Sequence, residues 1–364
     1  MKSRILFLLT SLFLMACHKG SPVRQQVASP ENILLKDYRP VSIYQVPQTL
    51  ISRAAFPVID MHSHPYPKSA AELDQWIANM DSAGIMKSIV LTYSHGKTFD
   101  SLVQAFSKYP DRFELWCGID YTGYDQPGFA DRAVKELERC HREGARGVGE
   151  EGDKGRGLYY SKPQAWGMHP DDARMDAVFE KCGELHMPIS LHVADPKWMY
   201  EKMDSTNDGL MNAWTWKVEV KPGVEDHAGM IRILENTVKK HPHTLFVACH
   251  LANCCYNLNI IGNLLDKYPN LSIDISARYA ELAPIPRAAK EFFTRYQDRI
   301  VYGTDMGMDL SMYRTTFRIL QTADEHFYDH ERFSYHWPLY GLDLPPDVLK
   351  KIYHDNAQKI IGGS

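Results

Sequence analysis

The sequence predicts an α/β protein in which residues 56–364 fold as one (β/α)8 barrel with long βα loops and a C-terminal helix. Two observations predict this fold. From Pro57 onward, short apolar runs alternate with longer segments of helical period, and the alternation repeats eight times in one continuous chain. Four of the apolar runs also end in a histidine or an aspartate, at the position where a barrel of parallel strands carries its functional residues.

The predicted strands are the short apolar runs, and each is followed by a segment with the apolar period of a helix. Gly84 and Gly144 follow the first and third helices, and Pro188 lies just beyond the fourth, as is common at helix ends. The predicted strands are 57–62, 87–93, 113–119, 145–150, 188–192, 244–249, 271–275 and 299–304. The predicted helices are 70–83, 99–108, 128–143, 171–186, 228–240, 256–268, 286–297 and 310–323, followed by the C-terminal helix 345–361.

Three connections are too long for simple turns: 151–170, 193–225 and 324–344. The βα loops of a barrel form its active-site face, so the first two predict pocket walls or lids. Two interpretations of the third stay open, a lid over the pocket or packing against the outside of the barrel. Its aromatic residues are Phe327, Tyr328, Phe333, Tyr335, Trp337 and Tyr340.

The N-terminal segment is predicted to direct export rather than to fold. Residues 1–16 combine a basic start, an apolar stretch too short to span a bilayer and a small-residue cleavage site. The Leu-Met-Ala-Cys tetrapeptide ending at Cys17 resembles a bacterial lipobox, whose cysteine is lipidated after cleavage. This implies a lipoprotein of the bacterial cell envelope, bound to the membrane only through Cys17, with 17–55 as tether and approach segment. An ordinary signal peptide is the alternative.

Charge and cysteine content exclude other classes of function. The formal net charge is −4 and no block of lysine and arginine stands out, so nucleic acid is a poor ligand. No second apolar run reaches the ~18 residues of a membrane-spanning helix. The cysteines beyond Cys17 lack Cys-x-x-Cys spacing, which predicts reduced, structural thiols and argues against a thiolate zinc site.

The candidate site begins at the end of the first strand, where His62 and His64 stand two residues apart. Side chains alternate along a strand, so both imidazoles are predicted to face the same side. His192, His250 and Asp305 end three later strands, and the parallel strands of a barrel end at one rim. The five side chains are therefore predicted to converge, although each histidine alone could be an ordinary strand-end residue.

Imidazoles together with a carboxylate suit a divalent metal ion, with zinc as the best fit and manganese, iron or cobalt as alternatives. Three or four protein ligands and one open position would let such an ion acidify water or polarise a carbonyl group. The pattern therefore predicts a metal-dependent enzyme that acts on a small-molecule substrate.

At these residues the chain resembles the amidohydrolase superfamily, and more closely its amidohydrolase-related branch, which contains aminocarboxymuconate-semialdehyde decarboxylase and several lactonases. The resemblance covers residues 56–361 and is specific for the superfamily rather than for one substrate. It rests on Ile59-Asp60-Met61-His62-Ser63-His64, Leu191-His192, Cys249-His250, Tyr302-Gly303-Thr304-Asp305 and Leu349-Lys350-Lys351-Ile352-Tyr353-His354-Asp355-Asn356-Ala357.

The resemblance implies roles for the five converging residues. His62, His64 and His192 resemble metal ligands, and Asp305 resembles a ligand that also acts as a base. His250 resembles a second-metal ligand, as in two-metal members, or an acid/base or carbonyl-polarising group, as in one-metal members.

The number of ions depends on the fourth strand. Its Gly149-Glu150-Glu151-Gly152 segment is similar to the TatD-type deoxyribonuclease branch, which aligns Glu150 rather than Glu151 with a metal-binding carboxylate. Glu150 is therefore predicted to contact metal, with one ion as the minimum and a bridged pair as the alternative. Contact with substrate or with a neighbouring lysine is the other interpretation of Glu150.

Arg278 follows the predicted strand 271–275 near the rim, where its guanidinium could hold a substrate carboxylate. An ion pair with Asp274 or Asp309 is the alternative. Weaker pocket candidates, each with a packing alternative, are Asn253, Lys197, Trp198, Trp214 and Trp216.

These observations predict an exported, lipid-anchored, metal-dependent hydrolase. Asp305 would take a proton from ion-activated water, which attacks an amide, lactone or ester carbonyl, while His250 and the ion would stabilise the oxyanion. A non-hydrolytic decarboxylase is the first alternative, with Arg278 orienting a carboxylate whose C–C bond breaks. A catalytically silent binding lipoprotein at the cell surface is the second alternative.

Overall fold

The computed structural model describes residues 29–159 and 163–362. The chain divides into two units, the second of which begins at Arg39. The described part of the first unit contains two short 3₁₀ helices, Pro30–Asn32 and Leu35–Asp37.

The predicted signal segment, residues 1–16, and the predicted lipidation site, Cys17, lie outside the described residues. Export and lipid anchoring therefore stay predictions. Among the residues that the structure describes, none of the helices combines the length and the apolar character needed to cross a bilayer.

In the described residues, the second unit contains ten strands, and eight of these are parallel neighbours in the predicted barrel. In chain order they are β1 (Val58–Ser63), β2 (Ile85–Leu91), β3 (Phe113–Trp116), β4 (Val148–Asp153), β5 (Gly157–Leu158), β6 (Ala165–Trp166), β7 (Ile189–Val193), β8 (Phe246–Ala248), β9 (Leu271–Asp274) and β10 (Ile300–Val301). Hydrogen bonds order β1-β2-β3 in one ladder and β10-β9-β8-β7-β4 in another, while β5 and β6 form a separate antiparallel hairpin.

Two seams close the eight parallel strands into a ring. Between β3 and β4, Cys117 pairs with Val148 in a parallel bridge. Between β10 and β1, the Met61 amide donates to the Tyr302 carbonyl over 2.9 Å, and the Asp305 amide then continues the seam to the next carbonyl of β1 over 2.9 Å. The closed barrel confirms the predicted fold class.

Helices fill most of the connections, and their ends follow local sequence signals. The first begins after Ser69, whose hydroxyl accepts a hydrogen bond from the Glu72 amide, and ends at Gly84 in the left-handed conformation (φ 87°). The helices are α1 (Ala70–Ala83), α2 (Gly96–Phe106), α3 (Phe129–Arg142), α4 (Asp176–Glu184), α5 (Leu210–Trp216), α6 (His227–Lys240), α7 (Leu258–Lys267), α8 (Tyr279–Leu282), α9 (Pro286–Arg295), α10 (Leu310–Gln321), α11 (Pro346–Lys350) and α12 (Asn356–Ile361).

The structure corrects two predicted strands. The fourth strand, β4, continues beyond its predicted end at Glu150 as far as Asp153, so Glu150 lies inside it rather than at its end. The last predicted strand, 299–304, is reduced to β10 because the Tyr302 amide donates to the Ile352 carbonyl of the C-terminal segment instead of extending the ladder.

The structure also corrects two predicted helices. The segment 171–186 begins with a 3₁₀ turn, Ala173–Met175, which the side chain of Asp172 caps, and only then becomes α4. The predicted C-terminal helix 345–361 consists of α11, a π-helical turn at Lys351–Asp355, and α12. The long connection 193–225 contains α5, which the sequence did not predict.

The barrel interior below the predicted site is filled by a cluster of apolar side chains, which we call the apolar plug. Its strand residues are Ile59, Met61, Ile89, Leu91, Trp116, Val247 and Val301, and α12 adds Ala357 and Ile360. The Asn356 side chain fixes α12 beside the start of β10, since its Nδ2 donates to the Ile300 carbonyl over 2.8 Å. The C-terminal helix therefore covers the end of the barrel where the strands begin.

The cysteines of the described residues agree with the predicted reduced thiols. Cys117, Cys140, Cys182, Cys249, Cys254 and Cys255 are buried, and none of them forms a disulfide. Burial raises the pKa of Cys254 to about 12, so this thiol stays protonated at neutral pH.

Candidate metal centre

His62 on β1 and His64 just after it are held so that Nε2 of each ring faces the other site residues. His62 Nδ1 donates to Asp274 Oδ2 over 2.9 Å, and His64 Nδ1 donates to the Leu91 carbonyl over 2.9 Å. We assign the proton to Nδ1 in both rings because these oxygens only accept. In the neutral rings, Nε2 therefore presents its lone pair. These Nε2 atoms lie 3.8 Å (His62) and 3.0 Å (His64) from Oδ1 of Asp305.

β7 and the turn after β8 supply two more histidines. His250 Nδ1 donates to the Ser276 carbonyl over 2.8 Å, which leaves Nε2 to face the centre, 3.2 Å from His192 Nδ1. His192 uses its nitrogens in the opposite sense: its Nδ1 contacts Glu150, and its Nε2 lies 3.5 Å from Asp195 Oδ1. The structure thus brings the histidines of three strands into one cluster.

Glu150, on β4, lies between the two pairs of histidines and is almost completely buried. Its Oε2 lies 3.7 Å from Nε2 of His62 and 3.7 Å from Nε2 of His64. Its Oε1 contacts His192 Nδ1 and lies 3.3 Å from His250 Nε2. Each oxygen of this one carboxylate therefore faces a different pair of imidazoles.

These contacts define two groups of ligand atoms that share Glu150. One group contains His62, His64, Asp305 and Oε2 of Glu150, and the other contains His192, His250 and Oε1 of Glu150. A tetrahedral zinc ion with bonds of 2.0–2.1 Å spaces its ligand atoms about 3.4 Å apart. Four of the six separations in the first group, from 3.0 to 3.8 Å, bracket that spacing. Two sets of the predicted ligands have ligand atoms that all lie within 4.8 Å of one another, His62 with His250 and Asp305, and Glu150 with His192 and His250. The donor set therefore fits a metal ion in the centre and admits a second ion beside it.

The unsatisfied atoms of the centre support the same fit. His62 Nε2 is buried and has no hydrogen-bond partner among the described residues. A buried polar atom without a partner costs about 1–3 kcal/mol, and one that points at buried carboxylates needs a cation or a proton between them. A divalent ion would satisfy the Nε2 lone pair and the carboxylates of Glu150 and Asp305 together.

The pKa shifts in the centre arise from the close approach of its carboxylates and imidazoles. Burial would raise the pKa of Glu150, but the imidazoles of His192 and His62 hold it well below its usual range. Burial would likewise raise the pKa of Asp305, but His62 and His64 lower it. Burial would lower the pKa of His62, yet the carboxylates of Asp274 and Asp305 raise it well above its usual value. The carboxylates thus stay ionised beside the imidazoles.

Asp274, at the end of β9, orients two of the histidines. Its Oδ2 accepts from His62 Nδ1, and its Oδ1 accepts from the His250 amide over 2.9 Å and from the Ser276 hydroxyl over 2.5 Å. Burial would raise the pKa of Asp274, but the His62 ring and these hydrogen bonds hold it below its usual range. A carboxylate behind a metal-ligating histidine fixes the tautomer and orientation of its ring, which is the relation seen here.

The backbone that carries His250 is unusual. His250, Leu251, Ala252 and Asn253 have φ values from 50° to 60°, a left-handed run without glycine that costs about 1–2 kcal/mol per residue. Side chains over-determine this turn: Asn253 Nδ2 donates to the Val193 carbonyl over 3.1 Å, and the buried His227 ring donates to the Asn253 carbonyl over 3.0 Å. Strained backbone of this kind is concentrated at functional sites.

A cavity of about 500 Å³ opens onto the centre, and we call it the metal cavity. His64, Glu150, His192, His250 and Asp305 line it, so all of the predicted ligands except the buried His62 reach its surface. Its other walls come from the connections after β2, β4, β7, β9 and β10. The volume is that of a site for a small molecule rather than for a macromolecule.

A family model described as amidohydrolase matches residues 59–363. The chain belongs to the amidohydrolase family. The comparison with curated proteins finds no match.

Solved structures share the barrel fold with this amidohydrolase at low sequence identity. One is 2,6-dihydroxybenzoate decarboxylase from Rhizobium, with 15% identity and a TM-score of 0.53 over 84% of this chain and 99% of that one. Another is a 5-carboxyvanillate decarboxylase from Novosphingobium aromaticivorans with bound manganese, with 15% identity and a TM-score of 0.51 over 85% and 97%. A third is an amidohydrolase from Burkholderia multivorans with bound zinc, with 11% identity and a TM-score of 0.51 over 84% and 99%. These neighbours include two decarboxylases and an amidohydrolase, and two of the three contain a bound metal ion.

Arg278 reaches the metal cavity of this amidohydrolase, as predicted from its place after β9. Its ion-pair partner is Glu281, 3.2 Å away, rather than the predicted alternatives Asp274 or Asp309. Its Nε donates to Asn253 Oδ1 over 2.9 Å, so Asn253 positions Arg278 instead of lining the cavity itself. The guanidinium is buried and held at a fixed place in the cavity wall.

Of the four remaining weak candidates, only Trp216 lines the metal cavity. Lys197 forms a partly exposed ion pair with Glu201 and does not line the cavity. Trp198 packs near Trp337, with ring centroids 5.8 Å apart. Trp214 and Trp216 lie on α5 and are similarly exposed, but Trp216 lines the metal cavity and Trp214 does not.

The aromatic segment 324–344 contributes directly to the pocket. Residues 332–335 line the metal cavity. Tyr335 is fixed there by a hydrogen bond to Glu281 Oε1 over 2.8 Å, and Trp337 donates to the Ala280 carbonyl over 2.8 Å. Of the two interpretations, a wall of the pocket is therefore correct for the part that includes Phe333 and Tyr335.

Three of the cavity residues that were not singled out from the sequence lie beside the centre. Tyr93 follows β2, donates its hydroxyl to Glu150 Oε2 over 2.6 Å and stacks on the His64 ring. Asp195 faces the outer nitrogen of His192 and forms an ion pair of 2.9 Å with Lys154. Tyr93 could have been found as the last residue of a predicted strand, but nothing in the sequence singles out Asp195 or Lys154.

Proposed function

We propose that this amidohydrolase is a metal-dependent hydrolase of small molecules, in which Asp305 takes a proton from the water that attacks an amide, lactone or ester carbonyl. The observation that carries the proposal is the position of the Asp305 carboxylate. Its side chain is 25% exposed, against 2% for Glu150, so it is the ligand-type carboxylate that water in the metal cavity can reach. Its lowered pKa keeps it ionised and able to accept a proton.

Two sets of residues would hold metal. His62, His64 and Asp305 with Oε2 of Glu150 would hold one ion, and His192 and His250 with Oε1 of Glu150 would hold a second. Zinc suits these nitrogen and carboxylate donors best, and manganese, iron or cobalt also suit them. When bound, such ions acidify water and polarise a carbonyl oxygen.

The chain's own residues would then orient the reaction. Asp305 would accept the proton of the attacking water and afterwards return it to the leaving group. Arg278, fixed by Asn253 and Glu281, would bind a carboxylate or carbonyl oxygen of the substrate with two of its donors. Tyr335 and Phe333 would exclude bulk water from that side of the cavity.

A second candidate is a non-hydrolytic decarboxylase. The observation that favours it is the buried Arg278 guanidinium in the wall of the metal cavity, since a decarboxylase must hold a carboxylate in a fixed orientation. The two candidates differ in their products: hydrolysis adds the elements of water to the substrate, whereas decarboxylation releases carbon dioxide and adds only a proton.

The test is product analysis with the zinc-loaded or manganese-loaded full-length protein in ¹⁸O-labelled water. Lactones, aryl esters or amides should give label in a product carboxylate, hydroxybenzoic acids in the same panel test for decarboxylation, and a chelator should abolish turnover. Asp305→Asn should lower kcat by about 10²–10⁴-fold because an amide is a poor base. Asp298→Asn, at an exposed aspartate paired with Lys351, is the matched control and should leave kcat unchanged.

Carbon dioxide release without label would contradict hydrolysis and support the second candidate. A normal kcat in Asp305→Asn, with a normal thermal midpoint, would contradict the role of Asp305. Failure to bind any metal would contradict both candidates.

A further inference from the structure

A second cavity of about 400 Å³ lies beside the metal cavity, and we call it the side compartment. Lys154, Asp195 and Trp216 line both spaces. A molecule that fills the metal cavity therefore lies against residues that also form the wall of the side compartment. The connections after β4 and β7 build this compartment, which places it at the same end of the barrel as the ligand-type residues.

The side compartment carries an excess of positive charge. Lys154, Arg156 and Lys217 line it, and Asp195 is its one carboxylate among the described residues. Asp195 is already paired with Lys154, at 2.9 Å. Neither Arg156 nor Lys217 forms an ion pair with a carboxylate of the described chain. Lys217 Nζ lies over the Trp214 ring, 4.3 Å from its centroid, and this contact leaves its charge unneutralised. Both cationic side chains can therefore face an anionic group at this place.

The compartment also presents flat aromatic surface. The indoles of Trp166 and Trp216 line it and are 47% and 58% exposed, which is high for the largest apolar side chain. Exposed tryptophan faces are favourable surfaces for stacking a ring, and they add affinity without selecting one ring in particular.

Hydrogen bonds to Asp153 fix the wall of the side compartment that follows β4. Asp153, at the end of β4, accepts from the Gly155 and Gly157 amides over 2.8 and 3.0 Å. Its other oxygen accepts from His169 Nδ1 over 2.6 Å. The fully buried carboxylate thereby ties both ends of the β5–β6 hairpin, which carries Trp166, to the barrel.

We propose that the side compartment binds the distal part of the substrate, and that this part is a flat ring bearing an anionic group such as a carboxylate, sulfonate or phosphate. The reacting carbonyl would lie in the metal cavity and the ring would stack on Trp216 and Trp166. The anion would pair with Arg156 and Lys217. This inference rests on the proposed function for the identity of the reacting group but not for the binding of the ring and its charge.

Calorimetric titration of the full-length protein tests the inference without requiring turnover. Naphthalene-2-sulfonate is an inert ring-bearing anion, naphthalene-2-sulfonamide is its neutral counterpart, and methanesulfonate lacks the ring. We expect the sulfonate to bind about tenfold more tightly than either other probe, in metal-loaded and in metal-free protein alike.

Variants of the lining residues separate the contribution of the anionic charge from that of the ring. The double variant Arg156→Gln/Lys217→Gln should weaken sulfonate binding roughly fivefold and leave sulfonamide binding unchanged, since each exposed ion pair contributes only modestly to affinity. Trp216→Leu should weaken both ring probes about tenfold. The control for the ring is Trp214→Leu, on the same helix and equally exposed but outside both cavities; it is measured with the neutral sulfonamide because Lys217 lies over the Trp214 ring at 4.3 Å. The control for the charge is Arg287→Gln, an exposed arginine on α9.

Several results would overturn the inference. They are equal binding of sulfonate and sulfonamide, equal losses in Trp214→Leu and Trp216→Leu, and a loss in Arg287→Gln as large as in the double variant. A sulfonate affinity that falls in Arg278→Lys but not in the double variant would place the anion in the metal cavity instead. Binding that persists in Asp305→Asn separates this inference from the proposed reaction, because that variant removes the proposed base and not the side compartment.

Discussion

The two ends of the barrel interior differ in composition and in backbone conformation. The end where the strands begin is filled by the apolar plug, whose strand residues are all almost completely buried. The end where the strands finish holds Glu150, Asp274 and four histidines; His62 contacts Asp274, His192 contacts Glu150, and His250 contacts His192. Apolar burial stabilises the first end, whereas the second concentrates buried charge, which is costly unless it is compensated.

The backbone shows the same contrast. After five of the barrel strands, a residue other than glycine has a positive φ: Tyr93, Ala194, His250, Ala277 and Asp305, with values from 53° to 62°. Within the apolar plug, by contrast, no residue has a positive φ. The two ends therefore differ in role. The apolar plug stabilises the fold, and the opposite end carries the strained backbone and the candidate site.

The largest expected effect lies at the charged end. Glu150→Gln should reduce the metal content of zinc-saturated protein from two ions per chain to one, because a neutral amide is a poor bridge between two cations. Elemental analysis after dialysis measures this. The matched control is Glu151→Gln: that neighbouring carboxylate accepts from the Tyr121 hydroxyl over 2.6 Å, outside the centre, and its loss should leave both ions bound.

An unchanged metal content in Glu150→Gln would contradict the bridging role. A wild-type protein that saturates with one ion would contradict the pair and leave the first ligand group as the metal site. Loss of both ions in Glu151→Gln would show that metal binding depends on the packing of β4 rather than on one carboxylate.

The sequence predicted the part of the centre that depends on strand period and topology. His62 and His64 could be placed together because side chains alternate along a strand, and His192 and Asp305 because parallel strands end at one rim. The apolar strand runs and the presence of a C-terminal helical segment follow from the same patterns. These predictions needed only local periodicity and the order of the elements.

The rest depended on conformations that no local pattern specifies. Asp195 faces His192 because Ala194 adopts φ 62°, and a left-handed alanine is not predictable from its type. Asp274 was part of a predicted strand, but its contact with His62 depends on strands far apart in sequence. The partner of Arg278 was mispredicted because α8, which carries Glu281, is too short to give a periodic signal.

An intermediate effect is expected at the apolar end. Trp116→Ala should lower the free energy of unfolding by about 3–5 kcal/mol, because it leaves a large cavity in the plug. The metal content and the kcat of the folded fraction should stay unchanged, since Trp116 does not line the metal cavity. Denaturant unfolding followed by circular dichroism measures the loss.

Two further variants calibrate that result. Ile59→Val, in the same plug, should cost about 0.5–1.5 kcal/mol. Trp214→Ala, at a tryptophan that is 60% exposed, should change the free energy of unfolding by less than about 0.5 kcal/mol. If Trp116→Ala removed metal as effectively as Glu150→Gln, the two ends would not be separable and the division between them would be wrong.

The smallest of the three main effects should come from Asp195, which lies behind the candidate ligand His192. Asp195 faces the outer nitrogen of His192, and a partner at that place orients a metal-ligating ring and raises its basicity. Asp195→Asn keeps an acceptor oxygen but removes the charge and the ion pair with Lys154, so zinc affinity should fall about 10–100-fold while the metal content at saturation stays unchanged. Competition with a fluorescent chelator measures that affinity, and Asp208→Asn, at an exposed aspartate of the same connection, is the control. An affinity equal to that of the control would show that His192 is oriented by its contact with Glu150 alone, and a lower metal content at saturation would show that Asp195 belongs to the metal centre itself.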